Sequence, residues 1–161
     1  TLMLILSFVI LSIKTFAQGI VLKDIKIRGL SADLQNHSNK ITSEFIGKEF
    51  NNEKFKDLIA KLTNKFVDLG FITTRIYVPE QDLGSGVLQL EVIEGFIEDF
   101  KIAGDLKYLP PNLPLKRSKR LSLRDIEQAT DQYNKFRSNN IKISIEPGSK
   151  PGASKLVIHN N

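Results

Sequence analysis

The sequence predicts an α+β fold of two small modules in tandem, each a three-stranded mixed sheet with helices on one face. Three observations carry this. A weak internal repeat relates DIKIRGL (Asp24 to Leu30) to DFKIAGDL (Asp99 to Leu106), and NKF recurs at Asn64 and Asn134. In each copy a turn containing Pro and Gly is followed by a strand pattern alternating apolar and polar residues. The first copy also carries one long apolar stripe at helical spacing. A chain of 161 residues suits one ordinary domain or two small ones. The copies join near Glu94-Gly95-Phe96 with almost no linker.

The first residues form a separate element. Leu2 to Ile13 is an apolar run right for a signal-peptide core and too short to span a bilayer. Thr15-Phe16-Ala17 offers a small residue at the cleavage position, with Gln18 as the mature start. The expected division is therefore residues 1–17 as signal peptide, 18–95 as first module and 96–161 as second. The mature protein would be exported, without a membrane span of its own.

In the first module, Val21 to Arg28 alternates and reads as a strand, and Ser38 to Ile46 reads as a short helix. Asn52 to Leu69 is the clearest element. Phe55, Leu58, Ile59, Leu62, Phe66 and Leu69 fall on one helical face. Asn51 or Asn52 caps its start, and Gly70 supplies the left-handed residue that ends it. Ile72, Thr74, Ile76 and Val78 then alternate with Thr73, Arg75 and Tyr77, giving a strand over 72–78. Pro79 ends it, Asp82 and Gly84 supply turn chemistry, and Gly86 lets the chain enter the strand of Leu88, Leu90 and Val92.

The second module is shorter. Phe100 and Ile102 mark its first strand. YLPPNLPLKRSKR has three Pro and reads as an irregular loop in place of much of the first helix. Ser122 is the predicted cap of a helix, with Asp125 at the capping-box position. Ile126, Ala129, Tyr133 and Phe136 form its inner stripe. Ile141, Ile143 and Ile145 alternate with Lys142, Ser144 and Glu146. PGSKPG turns the chain, and Leu156 and Ile158 begin the return.

Charge is unevenly placed. Through Gly95, 11 Lys and Arg stand against 11 Asp and Glu; from Phe96 onward, 12 stand against 7, so the whole net charge of +5 lies in the second half. Much of it sits in Lys116, Arg117, Lys119 and Arg120. Such a run either meets an acidic surface or is a solvated loop. Export and the lack of interleaved aromatics argue against nucleic acid.

No constellation for catalysis emerges. The chain has no Cys and two His, His37 and His159, far apart in the repeat scheme. It has no HExxH, Walker or dinucleotide motif. Ser85 is in no strand-to-helix elbow, and Gly84 and Gly86 open no helix. Glu80 with Asp82, and Glu91 with Glu94, read as solvated acids beside a hairpin turn. The expected functional surface is a sheet edge. No catalytic residue, metal ligand or cofactor is expected.

Two blocks in order carry a resemblance. LGFITTRIYVPEQDLGSGVLQLEVIEG resembles the first periplasmic POTRA module of two-partner secretion (TpsB) transporters, of the haemolysin-secretion/activation and filamentous-haemagglutinin type. LSLRDIEQATDQYNKFRSNNIKISIEPGSKPGASKLVIHN resembles their second. The matching positions are Gly70-Phe71, Arg75, Pro79-Glu80-Gln81, Gly86, Glu94-Gly95, Leu123-Arg124-Asp125, Glu127-Gln128, Asn134 and Pro147-Gly148. The resemblance implies a β-α-α-β-β fold for each module. It implies a periplasmic, outer-membrane-associated monomer that captures an unfolded exoprotein and passes it to an outer-membrane barrel. It also implies that the second strand of each module is an edge open to β-augmentation. Thr73, Arg75, Tyr77, Ile141, Lys142, Ile143 and Ser144 would then meet the client, while the motif positions are mainly structural. The basic loop would steer an acidic client segment or meet lipid headgroups. The first strand begins within a few residues of the predicted cleavage site, so the family's plug helix is not expected between them, and the barrel is not in this sequence. The alternative is a stand-alone periplasmic scaffold or chaperone-like module.

Overall fold

The computed structural model describes residues 19–103, 114–135 and 140–160. The predicted signal peptide, the Tyr108–Leu113 part of the Pro-rich loop and Phe136 lie outside the described residues. The elements run β1 (Ile20–Val21), β2 (Asp24–Arg28), α1 (Ala32–Thr42), β3 (Glu49–Phe50), α2 (Asn52–Asp68), β4 (Arg75–Tyr77), β5 (Val87–Ile93), β6 (Phe96–Ala103), α3 (Leu123–Asn134), β7 (Ile141–Pro147) and β8 (Ala153–Asn160). No described helix is long and apolar enough to cross a membrane. The fold class is the predicted one, α+β with small mixed sheets.

The chain forms two compact units. The first takes the described residues through Lys65 together with Ile76–Val92; the second takes Phe66–Arg75 together with Ile93 onward. In the first, the sheet order is β2-β5-β4, with β2 parallel to β5 from Asp24↔Val87 to Arg28↔Glu91. The predicted strand over 21–28 is in fact two. Ile20–Val21 pairs with Glu49–Phe50 in a separate two-stranded ribbon, and the run resumes at Asp24. Leu22 between them is fully buried. The core gathers Leu22, Ile25, Phe45, Phe50, Leu58, Leu62, Leu83, Leu88 and Leu90. Phe45, Phe50 and Phe55 stack edge to face, each neighbouring pair 6.3 Å apart, the geometry their ring quadrupoles favour.

The helix α2 follows its local signals. The Asn51 carboxamide oxygen accepts the Lys54 N–H at 3.0 Å, satisfying one of the orphan donors of the first turn. Leu58, Leu62 and Phe66 are buried along the stripe. Gly70 sits at φ 89°. Phe71 N–H returns to Phe66 O and Gly70 N–H to Val67 O, both at 2.8 Å, which is the Schellman closure. The helix predicted over 38–46 lies instead at Ala32–Thr42. Its buried face is Leu34, Ser38 and Thr42, two of them polar, so the apolar run at Ile41, Phe45 and Ile46 misplaces it.

In the second unit the order is β6-β8-β7, with β6 parallel and β7 antiparallel to β8. Ile97, Leu121, Ile126, Ala129, Tyr133, Ile141, Leu156 and Ile158 are among the buried core residues, and Ile72 packs against them. Ser122 occupies the N-cap of α3, but its side chain makes no cap hydrogen bond. Asp125 closes no capping box among the described contacts; it binds Lys119 at 2.7 Å.

Candidate functional site

Each predicted edge strand is an edge, but the two differ in length. β4 holds three residues where seven were expected. Thr73 is not in it. The Thr74 N–H bonds Phe71 O at 3.1 Å in a turn just before the strand. Arg75 folds its guanidinium onto Ile72 O and Thr74 O, both at 3.0 Å. Tyr77 is exposed. β7 runs seven residues, with Ile141 buried, Ile143 and Ile145 half-buried, and Lys142, Ser144 and Glu146 exposed. Its register with β8 is unbroken from Ile141↔Asn160 to Pro147↔Ser154.

The side of β7 away from β8 follows from parity. In an antiparallel pair, each residue either exchanges both backbone groups with its partner or turns both away. Ile141 gives its N–H to Asn134 Oδ1 at 2.7 Å, and its C=O accepts Asn134 Nδ2 at 3.2 Å. Ile141 therefore turns away from β8, as do Ile143, Ile145 and Pro147. Among the described residues, no backbone group outside β8 pairs with 142–147.

The opposite edge of that sheet is closed at its start. The Ile97 N–H bonds Lys119 O at 2.9 Å, the Ser118 N–H bonds Ile97 O at 2.7 Å, and Phe96 bridges to Arg120. The covering segment is the basic run, turned through Ser118 at φ 61°. Three of its four cations are tied to acids. Arg117 Nε donates to Asp99 at 2.7 Å and Lys119 meets Asp125 at 2.7 Å. Arg120 meets Glu94 at 3.1 Å while lying 3.9 Å over the Phe71 ring. Lys116 is exposed. The segment that bears these cations closes the strand edge with its backbone, in the way natural sheets protect edges from unwanted pairing.

This tie has a pH signature. The Arg117 guanidinium, followed by the Phe100 N–H, holds the Asp99 carboxyl below its ordinary value. A depressed folded pKa stabilises fully above the unfolded value, about 4, and that contribution disappears as pH falls through the folded value. Amide exchange at Ser118, corrected for its intrinsic pH dependence, should be level above about pH 4 and rise below it. Arg117→Ala should flatten the profile. An unchanged Ser118 protection at pH 3 would remove Asp99 as the tie.

The motif positions resolve into separate structural tasks. Gly70 O accepts the Leu123 N–H at 2.9 Å. A Cβ at Gly95 would meet Thr73 Oγ1, and one at Gly148 would meet Ala153 Cβ at 2.5 Å. Gly86 has φ 78° ahead of β5. The Gln81 carboxamide takes the Gln89 N–H at 2.7 Å and donates to Gln89 O at 2.8 Å and Pro79 O at 3.1 Å. No described side-chain hydrogen bond or ion pair engages Glu80, Arg124 or Gln128. His159 meets Ser144 Oγ at 3.2 Å, and His37 lies on α1 in the other unit. Among the described residues no acidic, His or Cys cluster could hold a metal.

Comparison with known proteins gives these edges a context. Residues 20–95 match the POTRA domain of ShlB type, and residues 96–147 match a POTRA domain. The chain is similar to the outer membrane transporter CdiB of Dickeya dadantii (strain 3937), 34% identical over 134 residues, which covers 83% of this chain and 24% of that protein. It is 36% identical over 105 residues to the hemolysin transporter protein ShlB of Serratia marcescens, covering 64% of this chain and 18% of the relative. Among solved structures, CdiB from Escherichia coli superposes with TM-score 0.76 at 27% identity, covering 92% of this chain and 28% of that one. The chain thus spans about a quarter or less of the curated relatives' length. These relatives are transporters, not enzymes.

Proposed function

Because the chain belongs to the POTRA domain family, with a ShlB-type domain first, and its homologues are two-partner secretion transporters, we propose that it is the periplasmic client-recognition region of such a transporter. It adds an extended segment of an unfolded haemolysin- or adhesin-type exoprotein to a sheet edge and hands it to an outer-membrane barrel. Residues 1–17 serve as the export signal, 18–95 and 96–161 as the two domains.

One observation carries the choice of edge. β7 is a seven-residue edge strand with a row of backbone groups facing away from its sheet, whereas β4 has three residues and the start of β6 is covered. Backbone pairing gives tolerance of client sequence, and side chains beside the edge add selectivity. Thr73, Arg75 and Tyr77 then play a smaller part than Ile143 and its neighbours. With three of its cations tied to acids, the basic loop acts in edge protection more than in steering.

The test is Ile143→Pro. Its N–H faces away from β8, so Pro there removes a client bond and leaves the ladder's bonds to β8 intact. Affinity for a urea-denatured haemolysin-type exoprotein segment, read by fluorescence anisotropy, should fall at least about tenfold with helix content kept. Ser144→Pro removes an inward N–H and should disrupt the sheet itself. Normal binding by a folded Ile143→Pro chain would exclude this edge.

A further inference from the structure

We propose that the Asn134 carboxamide is a strand stop: it occupies the first rung of the free edge of β7, so that an added strand pairs with Ile143 and Ile145 and does not run on to Ile141. The inference rests on the β-augmentation reading above and adds to it the register, length and pattern of the captured segment.

A carboxamide carries the same donor and acceptor as a peptide unit. Asn134, at the last position of α3, presents both to Ile141, at 2.7 Å and 3.2 Å, as a neighbouring strand would. At the far end Pro147 has a carbonyl but no N–H to offer. Two complete rungs, Ile143 and Ile145, remain between these limits, with half a rung at Pro147.

The first unit carries the same device independently. β4 ends at Tyr77, and Pro79 has no N–H to continue pairing. The Gln81 side chain takes both backbone groups of Gln89 on β5. In both sheets a carboxamide ends the backbone pairing available on one side of a strand. The two devices differ in consequence, since Gln81 closes an inner strand while Asn134 bounds an outer one.

The window fixes the chemistry of its occupant. About five residues, roughly 17 Å of extended chain, lie alongside 143–147. Residues opposite Ile143 and Ile145 share the face those side chains turn toward the core, so they are apolar. Their neighbours share the face of Lys142, Ser144 and Glu146, so they are polar, with either charge tolerated. The partner segment is a short apolar–polar–apolar run free of Pro at its paired positions.

The experiment is residue-resolved amide exchange on the ¹⁵N-labelled chain, with and without an acetylated seven-residue peptide of alternating Val and Thr. Without peptide, Ile143 and Ile145 should exchange fast and Ile141 slowly. In Asn134→Ala, Ile141 should exchange roughly five-fold faster, the effect of one lost hydrogen bond. Asn134→Asp keeps the acceptor and should keep Ile141 slow. With peptide, Ile143 and Ile145 should gain protection, and Ile141 only in Asn134→Ala. The stop is overturned if Ile141 exchanges as fast as Ile143 in the unaltered chain, or gains protection from the peptide with Asn134 present. If the peptide protects no β7 amide in either chain, the augmentation reading itself fails, and the stop's role in binding fails with it, even where the peptide-free pattern is as expected.

Discussion

Gly29→Ala should destabilise the first unit by roughly 3 kcal/mol or more, through two costs that add. Gly29 sits at φ 83°, where a residue with a Cβ pays about 1–2 kcal/mol. The new Cβ would also overlap the Val92 carbonyl oxygen, well inside van der Waals contact. That oxygen belongs to β5, the central strand of its sheet, so relief requires moving β2 or β5 out of their parallel register. Gly47→Ala separates the costs. Gly47 has φ 76°, with nothing within 4 Å of the added Cβ, so it bears the backbone term alone. In thermal melts of the whole chain, Gly29→Ala should lower the first unit's midpoint by roughly 12 °C or more. Gly47→Ala should lower it by the backbone share alone, about two thirds as much or less. Equal shifts would mean that the Val92 approach contributes nothing.

What the sequence made legible was what short-range chemistry decides. The ends of α2 were readable because Asn51 and Gly70 act on backbone groups within a few residues. β5 and β7 were readable because one face of each is apolar. The errors came where distant chain decides the outcome. Residues 72–74 alternate like a strand, yet Ile72 leaves the pattern to pack against the second unit's core. The run Lys116 to Arg120 showed its cations, but their acids lie at Asp99, Asp125 and Glu94. The pairing of β1 with β3 rests on two residues from each strand, too few for any periodicity. Gln81 and Asn134 belonged to the quoted motif blocks, but only the fold shows that their amides stand in for strands. The edge position of β7 was legible only through family resemblance, since alternation marks a strand without saying how many neighbours it has.

A polypeptide beginning at Phe96 will lose most of the second unit's stability, although its sequence holds β6, α3, β7 and β8. The second unit includes Phe66–Arg75, and this segment does several things at once. Gly70 O receives the Leu123 N–H at the start of α3. Phe71 lies beneath the Arg120 guanidinium, Ile72 packs on the core, and Thr73 lies against Gly95. Gly95 itself, whose carbonyl takes the Leu121 N–H at 2.8 Å, would also be missing. Two lost backbone bonds amount to roughly 2 kcal/mol. The cation–π contact adds about 1 kcal/mol, and the half-buried Ile72 about 1–2 kcal/mol. The ion pair of Arg120 with Glu94 is partly exposed and adds little. The sum approaches the whole stability of a domain this small, roughly 5 kcal/mol. Residues 96–161 alone should therefore give poorly dispersed amide NMR spectra and no cooperative melt. In the whole chain, Phe71→Ala should cost roughly 2 kcal/mol, below the range for a fully buried ring. Well-dispersed spectra from 96–161, with α3 shifts matching those of the whole chain, would make the 66–75 segment a bystander and place the boundary of the second folding unit at Phe96.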